Sequence, residues 1–501
     1  MSRDGQEHSD NEKPNPTPYS VFPEKEKIFL MLLCSFAAVI SPISSSIYFP
    51  AIGTLADDLG VSISQINLTV TMYLIFQGLA PSVVASLSDS YGRRPPYLAC
   101  FIIYLGANIG LALQNSYPAL MVLRCLQSSG SSGTVALASA TVADLSTRAE
   151  RGKYIGYATM GVTLGPALGP VIGGLLSHFL GWRAIFWFLV ILSGVFGIFV
   201  FVFLPETCRA VVGNGSIPAP KWNRSLWEVV HSRTQKKNGR RTSEPAYETR
   251  PKKRRRANPI TASSKIAKDK EAALILIFGG LLFSGYMALL STLTSELESR
   301  FGFNTIQIGL CYLPMGAGSL TSRWTIGYLL DVNFRREAKR QGLLIEKNKQ
   351  QDLAKFNIEI ARLAVTLPFI YASCAFVIAY GWVMQSKTSL AAIIVFLFLS
   401  GHTTTGAFSA LNTLVVDINS ESPATAVAAN NLFRCLMGAG AVAVAKPLID
   451  KIGVGWTGTL VAGVWVVLSP CLWAVYLWGY RWREQKMSHV ERIKGRKEAP
   501  S

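Results

Sequence analysis

Arginine is poorly suited to hydrocarbon, yet this sequence places Arg124 and Arg434 inside long apolar runs. A guanidinium at the middle of a membrane-crossing helix disfavours insertion by about 2.5–3.5 kcal/mol on translocon scales, so each is expected to face a protein interior. Gln127 lies one turn after Arg124, and Asn430 one turn before Arg434 with Asn431 beside it. Residues three or four apart share a helix face, so these amides should project with the arginines. Tyr48, Ser44, Gln77 and Tyr286 are further polar groups that could line the same chamber. No Asp or Glu falls near the middle of an apolar run. Two interior cations without an interior carboxylate leave a net positive chamber, which suits a small organic anion as substrate. The alternative is that each arginine clamps neighbouring helices through backbone carbonyls.

Moving a solute against its gradient needs a second group whose charge changes between the two sides. His402 has the right ordinary pKa, about 6.5, and Asp144 and Asp417 at the ends of apolar runs are alternative proton carriers. One proton moving down about 100 mV supplies roughly 2.3 kcal/mol, and one unit of pH adds about 1.4. A single carrier therefore suffices for a solute gradient of about a few hundredfold. No nucleophile–base pair, phosphate loop or metal-ligand spacing accompanies these residues, so no enzyme activity, cofactor or metal is expected. The eight cysteines lie mostly in apolar runs and read as small buried hydrophobes.

The elements that must hold these groups are membrane helices. Half of the 501 residues are hydrophobic and 16% are charged, against roughly 25% in soluble domains. Windows of about 20 apolar residues give twelve candidates, the first over 28–48 and the last over 457–477, six before and six after a polar stretch. The expected fold is an all-α membrane protein, with twelve transmembrane helices in two six-helix bundles over 28–204 and 271–480. A disordered tail (1–27), a basic linker (205–270) and a second tail (481–501) complete the chain.

The net charge of +19 could signal nucleic acid, so its placement matters more than its size. With the amino terminus inside, 41 of the 49 Lys and Arg fall in inner loops and tails and five in outer loops. That asymmetry places both termini and the linker in the cytosol. The basic run over 250–256 resembles a nuclear import signal, but a multi-pass chain is not free to enter a nucleus and no nucleic-acid partner is expected. A tether attracted to anionic lipid, at about 1 kcal/mol per basic residue, is the better reading.

Two patterns imply motion. Gly161, Gly165, Gly169 and Gly173 recur at four-residue steps, with Pro166, Pro170 and Gly174 among them. They clear a helix face over about 18 Å, letting a neighbour's backbone approach, and the prolines bend it. Separately, Asp89, Arg93 and Arg94 after the second span are echoed by Asp331, Arg335 and Arg336 after the eighth. The same loop at the same place in both halves indicates parallel repeats. Its expected task is a cytosolic latch, in which the arginines pair with carboxylates and release when the gate opens.

With these motifs assembled, the chain resembles the major facilitator superfamily, and within it the twelve-span drug:proton antiporters. The latch motif is matched at Asp89, Gly92, Arg93 and Arg94, departing at Ala85 and Ser90; the fourth-span motif resembles Arg124 to Gly130; the antiporter motif is matched from Gly161 to Gly174. The segments 41–50, 204–207 and 428–440 narrow the resemblance to a fungal quinidine-resistance-like branch that includes citrate and polyamine exporters. The resemblance implies a monomeric secondary transporter working by proton antiport, in the plasma membrane or in a vacuolar or other internal membrane. It implies alternating access to a site between the bundles. An organic acid, drug or secondary metabolite is the expected cargo. A transporter-like nutrient sensor signalling through the linker, or an exporter of cationic drugs or polyamines, is the alternative.

Overall fold

The computed structural model describes residues 20–146, 151–215, 217–229, 266–342, 356–419 and 423–498. Every regular element among them is helical. Helix α1 (Glu24–Ser46) runs through a 3-10 turn at Phe49–Ala51 into α2 (Ile52–Leu59). Then follow α3 (Ile63–Tyr91), α4 (Arg94–Leu113), α5 (Tyr117–Leu145), α6 (Arg151–Leu180), α7 (Arg183–Phe203) and the single turn α8 (Arg209–Val212). The later part comprises α9 (Lys270–Phe301), α10 (Thr305–Cys311), α11 (Leu313–Arg340), α12 (Ile358–Ser386), α13 (Leu390–Ile418) and α14 (Pro423–Glu498). Gly453, at φ 83°, breaks α14 into two arms.

Among the described residues, eight helices are long and apolar enough to cross a membrane. At 1.5 Å per residue, a 29-residue helix such as α3 spans about 43 Å, enough to cross a bilayer with tilt. Lipid forces this design, since backbone amides in hydrocarbon must be satisfied within the segment. Starts are marked where chemistry allows: Ser62 and Gln65 form a reciprocal capping box on α3, and Asn304 and Gln307 form one on α10.

Helices α1 to α7 pack mainly on one another, as do α9 to α14. Contacts between the two sets run through α3 on α14 and α6 on α10 and α11. We call the end holding Glu24, Tyr91 and Leu145 the near end, and the end holding Leu59, Leu180 and Phe301 the far end. The described contacts between the sets lie at mid-depth and towards the far end. There Thr294 donates to the Phe49 carbonyl at 2.8 Å, and the Phe49 and Tyr312 rings stack at 6.0 Å. Nearer the middle, Thr71 donates to the Ala439 carbonyl at 3.3 Å.

The glycine stripe of α6 explains how closely its helix is held. Side chains at Gly165, Gly169 and Gly173 would collide with α1 at Pro42, Ser46 and the Ile47 carbonyl, and one at Gly174 would collide with the Thr305 carbonyl of α10. The stripe therefore touches both sets at once. Helix α6 stays continuous through Pro166 and Pro170, and Gly161 lies within it.

Two expected boundaries shift. The segment after Leu204, read from sequence as linker, is folded beneath the near end through Asn223, because Glu206 (2% exposed) gathers amides around itself. The expected tail at 481–501 continues α14, and Arg483 is buried in the bundle. The basic run over 250–256 and the tail over 1–19 lie outside the described residues.

Candidate substrate site and gating contacts

Arg434 sits at mid-depth on α14 and is partly exposed. Its Nε and one terminal nitrogen donate to Asn431 Oδ1 at 3.1 and 2.8 Å. The guanidinium lies over the rings of Phe283 and Phe408, with centroids at 5.0 and 6.0 Å. No carboxylate pairs with it among the described residues. Aromatic faces stabilise a cation by about 0.5–2 kcal/mol without neutralising it, so the positive charge remains available. Asn431 also donates to the Gln77 carbonyl on α3 at 3.1 Å, and Asn430 donates to Asn412 on α13 at 2.7 Å. Gln77 is thus brought beside the arginine, though through its backbone. Tyr286 stands one turn beyond Phe283 and stacks on it at 6.4 Å.

Arg124 is placed differently. It is 0% exposed, wedged between the rings of Tyr48 and Tyr73 at 4.2 and 4.4 Å. One terminal nitrogen donates to Gln127 at 2.5 Å, and Gln127 donates to Asn108 at 2.7 Å. Its Nε and other terminal nitrogen have no partner among the described residues. Ser44 bonds Tyr104 and the Ile40 carbonyl, and Tyr48 bonds Thr69. The expected single lining of both arginines is therefore divided: Arg434 is accessible, whereas Arg124, Gln127, Ser44 and Tyr48 form a closed cage inside the first set of helices. The Tyr48 and Tyr73 rings stabilise this cation through their faces without neutralising it. Tyr73, Asn108, Phe283, Phe408 and Asn412 were not singled out in the sequence; Tyr73 and Phe283 lie one turn from Gln77 and Tyr286, whereas Asn108, Phe408 and Asn412 sit on helices with no residue singled out beside Arg124 or Arg434.

At the near end, Gly92 has φ +101°, a conformation strained for residues with side chains. It ends α3 and turns Arg93 back onto Asp89 (2.8 Å) and Asp144 (2.7 Å). Burial opposes charge on Arg93, but Asp144 and Asp89 outweigh it and hold the guanidinium protonated well above its ordinary value. Burial pushes the Asp144 carboxyl upwards while Arg93 pulls it back. Glu206 accepts from the backbone amides of Arg93, Arg94 and Cys208. The Arg94 side chain donates to the Phe201 carbonyl and pairs with no carboxylate among the described contacts.

The echo in the second half does not fold the same way. Asp331, Arg335 and Arg336 are exposed, and none enters an ion pair among the described residues. The position matching Gly92 is Phe334, so α11 continues unbroken to Arg340 and carries both arginines outwards. Arg362 of α12 pairs instead with Asp417 of α13 at 2.9 Å. The three residues expected as proton carriers lie in different settings. Asp144 and Asp417 are engaged by arginines, and His402 Nδ1 meets Thr321 at 3.0 Å between the rings of Phe369 and Phe398.

Comparison with known proteins supplies the class. The Major Facilitator Superfamily profile matches residues 34–442. The chain is 52% identical over 466 residues to an MFS-type transporter, clz19, of Cochliobolus lunatus, covering 93% of this chain and 87% of that one. It is 34% identical over 488 residues to citrate exporter 1 of Aspergillus niger, covering 96% and 90%. Its fold is similar to the crystal structure of the human organic anion transporter MFSD10, with a TM-score of 0.53 at 17% identity, covering 90% of this chain and all of that one. A membrane-crossing helical chain with glycine-lined helix contacts, matched by profile along most of its length, belongs to the major facilitator superfamily.

Proposed function

We propose that this chain exports an organic anion, an organic acid or acidic secondary metabolite, by proton antiport. The observation that carries this is Arg434: a partly exposed mid-depth guanidinium, walled by Phe283 and Phe408, with no carboxylate partner among the described residues. A carboxylate would complete its hydrogen bonding, and the ring faces would select a partner with an apolar or planar body. A bulky cation would meet repulsion at the same place. That one relative is a citrate exporter favours the same class of cargo.

In this reading twelve spans form two six-helix bundles, the near end faces the cytosol, and a monomer sits in the plasma membrane. The far-end contacts around Phe49, Thr294 and Tyr312 then form the closed outer gate, so cargo reaches Arg434 from the cytosol. Gln77, Asn430, Asn431 and Tyr286 line the site beside Arg434, while Arg124 and Gln127 join it only if their cage opens. Inside-out vesicles with an imposed pH gradient test this directly, comparing citrate and other carboxylates with cationic drugs. Uptake of carboxylates with consumption of the gradient is expected; uptake confined to cations, or no gradient consumption, refutes the reading.

A further inference from the structure

A second cluster of buried charge lies outside the substrate site, where α9, α12 and the second arm of α14 meet at the near end. Glu271 of α9 is 2% exposed and Glu359 of α12 is 0% exposed. Gly479 of α14 makes room for both: a side chain there would stand 2.8 Å from Glu359 Cγ and 3.1 Å from Glu271 Oε1. Arg483, one turn further on, reaches Glu359 at 3.3 Å and also donates to the Phe356 carbonyl. The Tyr480 ring lies 5.6 Å from that guanidinium. Asp269 at the rim is neutralised by Lys486, and Arg362 on α12 is committed to Asp417. Two carboxyl groups thus face a single guanidinium, and Glu271 Oε1 is buried without a hydrogen-bond partner among the described residues.

Ionised carboxylates only accept hydrogen bonds, and two of them side by side away from water repel strongly. One proton resolves both problems, since a protonated carboxyl donates to its neighbour while Arg483 balances the remaining charge. We propose that Glu271 and Glu359 together bind one exchangeable proton, and that this is the proton exchanged for the anion. The second clause rests on the antiport reading above; the first does not. Helix α9 supplies the mechanical link. Phe283 lies about 18 Å along it from Glu271, against Arg434, and Thr294 about 34 Å along it, at the contact with Phe49. Losing the proton leaves net negative charge among α9, α12 and α14, which favours their separation and tilts the helix that also closes the far end.

The test uses the full-length protein in two measurements. Infrared spectra of wild type at neutral pH should show a protonated-carboxyl C=O band, lost at alkaline pH and lost in both Glu271→Gln and Glu359→Gln, because the remaining carboxylate is then neutralised by Arg483. Absence of the band in wild type, or its persistence in both variants, overturns the proton site. In proteoliposomes loaded with a pH dye, pH-gradient-driven citrate flux should fall by about tenfold in either variant, with citrate exchange at equal pH retained. Retained coupling in both variants, alongside retained exchange, overturns the assignment of the transported proton. Wild-type flux of citrate and a panel of carboxylates without proton movement, with the band still assigned to the pair, defeats the antiport reading and leaves the proton site standing.

Discussion

Asn431 donates to the Gln77 carbonyl at 3.1 Å while its own Oδ1 receives two nitrogens of Arg434. One amide therefore joins the two sets of helices and aims the site's cation. Any movement that separates α3 from α14 breaks the first bond and frees Asn431 to turn, taking its hold on the guanidinium with it.

Arg434→Gln removes the charge while keeping some polarity, and carboxylate export in inside-out vesicles should drop by about tenfold or more, as expected when a charged hydrogen bond of about 1.5–3 kcal/mol is lost. Arg434→Lys keeps the charge but loses the planar fork and the stacking on Phe283, so partial activity with weaker apparent affinity is expected. Equal affinity for an anion in wild type and Arg434→Gln would show that the arginine binds no cargo.

Gly174 and Gly440 make a matched pair for testing the far-end contact. A methyl at Gly174 would run into the Thr305 carbonyl of α10, whereas one at Gly440 meets nothing within 4 Å. Gly174→Ala should push α6 away from α10 and shift the population away from the state described here. It should slow export and raise the reactivity of a cysteine introduced at Tyr312, while Gly440→Ala leaves both unchanged. Equal behaviour of the two variants would remove α6 from the gate.

Gly92 ties the near-end ion pairs to its backbone shape. Gly92→Ala adds a side chain at φ +101° and drives it into Glu206, the acceptor for Arg93 and Arg94 amides. Loss of stability of more than about 1 kcal/mol is expected, read as a lowered Tm in detergent. Arg93→Gln leaves the turn intact but removes the ion pairs with Asp89 and Asp144 and the bond to Ser88, leaving the buried Asp144 carboxyl without its arginine, so it should lower Tm as well as alter transport rate.

How much of this was legible in the chain follows from where each signal lies. The pairing of Arg93 with Asp89 was readable because Asp89, Gly92 and Arg93 are close in sequence and the glycine supplies the turn. The cation at Arg434 was readable because a charge in an apolar run is conspicuous. Arg124's cage was only half readable, since a tyrosine such as Tyr73 in a membrane helix resembles any other apolar residue. Glu271, Glu359 and Arg483 were passed over because carboxylates at helix ends are ordinary; what makes them unusual is burial by three helices distant in sequence.

The repeat of Asp331, Arg335 and Arg336 gives the sharpest separation between a sequence echo and a structural one. Asp331, Arg335 and Arg336 repeat the spacing of the first loop, but Phe334 lacks the freedom of Gly92 and the three side chains stay exposed on α11. Exposed ion pairs contribute about 0–1 kcal/mol, so neutralising Arg335 and Arg336 together should change neither Tm nor transport rate appreciably. Arg362 and Asp417, 55 residues apart, are both largely buried and bonded at 2.9 Å. Removing one partner leaves the other charge buried and unpaired, which costs about 3–5 kcal/mol in a dry interior and less at this partly wetted end. Arg362→Gln should therefore lower Tm and slow export, and Asp417→Asn added to it should recover part of the stability, because both orphaned charges are then gone. If the Arg335 and Arg336 variant is the damaging one and Arg362→Gln is silent, the latch of the second half follows the sequence echo, and the pairing of α12 with α13 plays no part in gating.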